Sequence, residues 1–128
     1  MRIYHIDEER IKFIDDVTRQ RHELHYAHEQ DCCEEVYADF ESIPRYFIGK
    51  DGTEKDVYKV DFEEDLEKLI EEVEGQGFML CTKNGDKVLC NCYDIQNGWY
   101  SSNLAVILYE VKAIASKEIK EMIHEDKD

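Results

Sequence analysis

Residues 77–96 read GFMLCTKNGDKVLCNCYDIQ, and this stretch decides the fold class. Two runs with β-type patterning, 78–83 and 86–95, flank Asn84-Gly85, a dipeptide that tolerates the positive φ of a hairpin turn. The pattern predicts two antiparallel strands. Downstream, Leu104-Ala105-Val106-Ile107-Leu108-Tyr109 is apolar at every position, which predicts a central strand covered on each side. Upstream, residues 2–6, 10–17 and 21–28 alternate as half-buried strands, with Ile11, Phe13 and Val17 expected on one face and Leu24 and Tyr26 on another. Asp51-Gly52 marks a further hairpin between Tyr46-Phe47-Ile48 and Val57-Tyr58-Lys59-Val60.

Two segments read as helices. Phe62, Leu66, Leu69, Ile70 and Val73 fall at i, i+4, i+7, i+8 and i+11, with glutamates on the remaining positions, Asp61 as cap and Glu64 in capping-box position. Near the end of the chain, Ser116 is a candidate cap for a helix carrying Ile119, Met122 and Ile123, followed by a charged tail from about residue 124. The expected fold class is therefore α+β: one domain over residues 1–128, an antiparallel β-sheet core and about two α-helices.

Composition narrows the function. The 128 residues carry 16 Lys and Arg against 31 Asp and Glu, a net charge of −15, which opposes direct nucleic-acid binding or an anionic membrane surface. No run approaches the roughly 20 apolar residues of a membrane-spanning helix, and the first ten residues lack a signal peptide's apolar core. A cytoplasmic location is expected, with the five cysteines (Cys32, Cys33, Cys81, Cys90 and Cys92) as thiols. Cys90-Asn91-Cys92 is expected to place its thiols on opposite faces of a strand, each filling the core.

The densest polar segment is His25 to Asp39. Its two histidines and two adjacent cysteines fit zinc poorly, because neighbouring cysteines do not readily reach one tetrahedral ion, and no metal is expected. Acidic neighbours also disfavour Cys32 as a nucleophile paired with His28. No phosphate-cradling glycine loop, G-x-S-x-G turn or H-E-x-x-H is present, so neither catalysis nor a cofactor is expected. The stretch from Tyr93 to Asn103 is rich in aromatic and amide side chains, which can stack on bases and bond their edges. Asn97, Trp99 and Tyr100 are its central candidates.

The run His28-Glu29-Gln30-Asp31-Cys32-Cys33-Glu34, with Gln96-Asn97-Gly98-Trp99-Tyr100-Ser101 and Asn103-Leu104 far downstream, resembles a group of small phage and prophage proteins, the anti-Thoeris sponges. Those proteins bind a cyclic ADP-ribose signal made by bacterial TIR enzymes, some also bind cyclic oligonucleotides, and they hold the ligand without cleaving it. The resemblance implies an antiparallel-sheet protein with helices that forms homo-oligomers in the host cytoplasm, with ligand sites between subunits. It further implies that Tyr93 stacks on adenine, that Asn103 bonds the ligand and that Lys120 meets the pyrophosphate, although Glu118 and Glu121 make a poor field for that last role.

Two other classes compete with this reading. An acidic protein-binding inhibitor or DNA mimic acting on a host nuclease would use the −15 charge directly. An enzyme built on His28, Asp31, Cys32 and Glu34 is disfavoured, because acid, base and oxyanion donor cannot be assigned together.

Overall fold

The Asn84-Gly85 hairpin forms around Gly85 at φ +85°, with the Gly85 amide donating to the Thr82 carbonyl at 3.0 Å and the Thr82 amide to Asp86 at 2.9 Å. It belongs to a computed structural model that describes residues 1–28, 34–96 and 103–126. The strands are β1 (Arg2–Ile6), β2 (Arg10–Ile14), β3 (Arg21–Ala27), β4 (Glu34–Asp39), β5 (Tyr46–Ile48) and β6 (Glu54–Asp56). After one helical turn, α1 (Leu66–Leu69), come β7 (Ile70–Val73), β8 (Gly77–Cys81), β9 (Lys87–Gln96), β10 (Leu104–Tyr109), β11 (Ala113–Ile119) and β12 (Ile123–Asp126).

One sheet runs β1-β2-β3-β10-β11, with every pairing antiparallel. The other is organised by β9, which pairs antiparallel with β8 over residues 87–91 and with β4 over 91–96. Its last four residues also pair parallel with β12. Alternate residues of each sheet turn inward to a single core: Ile11, Phe13, Leu24, Leu104, Val106 and Leu108 from the first, Val36, Leu80, Val88, Cys90 and Cys92 from the second. A third, two-stranded sheet of β5 and β6 is tied on through Lys55, whose ammonium sits 2.7 Å from the buried Asp86 carboxylate.

The architecture is mostly antiparallel sheet, and neither expected long helix is present among the described residues. In residues 62–73, Asp65 rather than Asp61 caps a single turn, accepting from the Glu67 amide at 3.0 Å. Ile70–Val73 then pairs with β8, from Ile70 opposite Leu80 to Val73 opposite Gly77. Phe62, Leu66, Leu69 and Ile70 are buried as the apolar stripe demanded, but a turn followed by a strand buries them equally well. The free edge of β8 supplies ladder hydrogen bonds that a continued helix would leave unmade. Asp61 and Glu64 face Lys83 instead, at 3.8 and 3.6 Å.

The C-terminal helix is likewise replaced, because β10 takes a second partner in β11, with Leu104 opposite Ile119 and Ile107 opposite Ser116. The expected charged tail contributes β12 through Asp126.

Smaller expectations shift for local reasons. The second strand stops at Ile14, where the Asp15 carboxylate accepts from the Val17 and Thr18 amides and turns the chain, leaving Val17 90% exposed. β10 is central, but only Leu104, Val106 and Leu108 are fully covered, while Ala105, Ile107 and Tyr109 stay half-exposed. Cys90 and Cys92, two apart on a strand, share one face rather than opposing each other, and both are fully buried. That face approaches β8 closely at Gly77, φ +139°, where a Cβ would collide with the Cys90 carbonyl.

Candidate functional site

His28 follows β3, Glu34 opens β4 and Asn103 immediately precedes β10, so three chain segments distant in sequence meet at one end of the two sheets. The His28 ring holds them together. Its Nδ1 lies 2.7 Å from the Asn103 carbonyl oxygen and its Nε2 2.9 Å from Glu34 Oε1. The Asn103 carbonyl only accepts, so Nδ1 carries hydrogen, and with Glu34 ionised Nε2 donates as well and His28 is an imidazolium. The His28 and Glu34 side chains are 9% and 3% exposed. Burial opposes the charge, but the Glu34 carboxylate and Asn103 carbonyl outweigh it and raise the His28 pKa above its ordinary value.

Beside this junction lies a cavity of about 480 Å³ lined by Ala27, His28, Asn103, Ala105 and Glu118. The strand register explains its shape, since Ala105 of β10 is paired with Ala27 of β3 on one side and with Glu118 of β11 on the other. Two alanines side by side leave a shallow apolar floor where larger residues would fill the space. Asn103 and Glu118 add an amide and a carboxylate to its edges. A flat ring can lie on such a floor while polar groups reach the rim.

Of the ligand contacts expected from sequence, Asn103 lines this cavity, and His28, singled out there only as a member of a disfavoured enzyme cluster, lines it too. Tyr93 is on the outward face of β9, its ring stacked on Tyr37 with centroids 5.3 Å apart and planes at 24°. No described contact joins Tyr93 to Asn103. Lys120 follows β11, and its backbone amide donates to Glu72 Oε1 at 2.6 Å. Asn97, Trp99 and Tyr100 lie outside the described residues, as do Asp31, Cys32 and Cys33. Sequence reading missed Ala27, Ala105 and Glu118, because an alanine on a strand carries no signal until its cross-strand neighbours are known.

Inside the sheets, Gln96 Nε2 donates to Asp94 Oδ1 at 2.8 Å, and both residues are buried. The other Asp94 oxygen faces His124 Nδ1 at 3.1 Å as an ion-pair contact outside hydrogen-bonding geometry. Among the described residues, no three His, Cys, Asp or Glu side chains are placed to hold a metal ion. Burial raises the Cys81 thiol and, far more strongly, that of Cys90, so neither is an activated nucleophile.

A second cleft, of about 440 Å³, differs in character. Tyr26 and Tyr37 line it with Glu8, Glu9, Glu35, Asp39 and Glu41, and none of its lining residues is basic. Burial first, and then the negative charges of Glu8, Glu9 and Glu35, push the Tyr26 phenol above its ordinary pKa.

A family model described as a domain of unknown function, DUF7448, matches residues 2–106. No curated protein and no solved structure matches the chain.

Proposed function

We propose that this chain, which belongs to the DUF7448 family, is a binding protein that takes up a cyclic nucleotide signal, a cyclic ADP-ribose isomer or a cyclic oligonucleotide, and holds it uncleaved. In this reading it acts as a phage-type anti-defence sponge in the bacterial cytoplasm. One observation carries the proposal: His28 and Asn103, 75 residues apart and each belonging to one of the two polar segments, are bonded to each other at the rim of a cavity with an apolar floor. Binding is favoured over catalysis because both nitrogens of the imidazole at the cavity are committed to fixed acceptors, which leaves it no site to take a proton.

The cavity is open and its lining comes from three neighbouring strands and their ends, so a homo-oligomer in which a second copy covers it would deepen the site. The test is direct. The protein is incubated with cyclic ADP-ribose isomers and a cyclic dinucleotide, separated from free ligand and denatured. Recovery of unchanged ligand supports the sponge, an altered product identifies an enzyme, and retention of none of them removes the nucleotide reading.

The acidic cleft favours a second reading, an inhibitor that docks a cationic protein surface such as the nucleic-acid channel of a host nuclease. That function would show steep weakening with salt and no retained nucleotide.

A further inference from the structure

Glu118 differs from the other carboxylates of its neighbourhood. Glu67 meets Lys117 at 3.3 Å, Glu71 meets Lys87 at 2.6 Å, Glu72 accepts from the Lys120 amide and Glu121 from the Gly75 amide at 3.1 Å. Glu118 has no hydrogen bond or ion pair among the described residues, and it is exposed at the edge of the cavity. It stands in register with Ala105 on the floor. The other charge in the lining, the His28 imidazolium, is paired with the Glu34 carboxylate at 2.9 Å and has both N–H groups occupied, so the charge left uncompensated in the lining is that of Glu118.

The cavity thus has an acceptor that seeks a donor at one edge and a neutral ion pair at the other. We infer that it sorts its ligand by charge: Glu118 accepts from the amino group of a base lying on Ala27 and Ala105, and the anionic part of the ligand is kept away from that carboxylate. Glu118 is then a specificity-determining residue, selecting amino-bearing bases and repelling a phosphate that enters in the reverse orientation. This inference rests on the nucleotide reading of the same cavity.

The test is calorimetric titration of the full chain with cyclic ADP-ribose and with cyclic IDP-ribose, in which an oxo group replaces the 6-amino group. Wild type is expected to prefer the amino form about tenfold, the scale of one lost charge-assisted hydrogen bond. Glu118→Ala removes the preference, Glu118→Gln keeps part of it through its amide oxygen, and Glu118→Lys loses binding. Melting temperatures should be unchanged throughout, since the side chain is exposed and unpaired. Equal wild-type affinities, or tighter binding by Glu118→Lys, overturn the charge ordering while leaving the nucleotide reading intact. Binding of neither compound by wild type overturns both.

Discussion

Tyr26 and Ala27 are consecutive residues of one strand, yet they border two cavities of opposite character. Tyr26 faces a cleft with five carboxylates and no cation in its lining, whereas Ala27 faces a cavity with one carboxylate and one imidazolium. Alternation along a strand sends neighbouring side chains to opposite faces, so a single segment can serve two environments. What differs is the company each face keeps. The acidic cleft draws on β4 and the chain around Glu8 and Glu9, while the cavity draws on β10 and β11. An anion meets five carboxylates in the first and one, Glu118, in the second, where the His28 charge is balanced by Glu34.

The most severe way to break this contrast is to remove the ion-paired junction at the rim of the cavity. His28→Ala deletes both bonds of the junction in a nearly buried setting, and is expected to cost about 3 kcal/mol in urea unfolding, the lower end for breaking a buried charged pair. His28→Gln, which keeps a donor, should recover part of that. A loss below about 1 kcal/mol for the alanine variant would show that the junction does not depend on the imidazolium.

Next in size is the division between the two faces of ligand contact. Asn103→Ala should weaken nucleotide binding about tenfold with little change in melting temperature. Tyr93→Ala, whose ring stacks on Tyr37 away from the cavity, should instead lower stability by about 1 kcal/mol and spare binding by an isolated chain. If Tyr93→Ala weakens binding as strongly, the site is completed by a second copy, and light scattering should then report a mass above the 15.2 kDa monomer.

The pH dependence sharpens the assignment of charge. The pKa of His28 is raised in the folded protein, so its contribution to stability is fully present below the unfolded value of about 6.5 and is lost as pH rises through the folded value. The stability gap between wild type and His28→Gln should therefore narrow toward alkaline pH in urea titrations. A gap independent of pH would mean that His28 is neutral.

The smallest expected effect lies in the cleft. Replacing Glu8 and Glu9 with glutamine should change stability by less than about 0.5 kcal/mol, as for other exposed positions. It should also move the Tyr26 phenol back toward its ordinary pKa, since both carboxylates raise it. An unmoved Tyr26 titration would leave burial alone as the cause.

Much of this was legible in the chain itself. Asn84-Gly85 announced a hairpin, and the alternation over residues 10–17 and 21–28 announced half-buried strands, formed as Arg10–Ile14 and Arg21–Ala27, because both signals are local. Of the site, Asn103 stood out by chemistry and His28 by its place in a dense polar run. Ala27, Ala105 and Glu118 did not, and the fourfold spacing of Phe62, Leu66 and Ile70 pointed to a helix that the chain completes for only one turn.

By itself, then, the sequence determined that the protein is acidic, that its sheets are mostly antiparallel and that its polar chemistry is concentrated in two segments. Those properties follow from composition and from periods of a few residues. Only the tertiary structure decided that residues 70–73 and 113–119 become strands, and that His28 meets Asn103 across 75 residues. Strand partnership and register depend on which edges are free and which faces can be buried together, and those are properties of the whole folded chain that no short window contains.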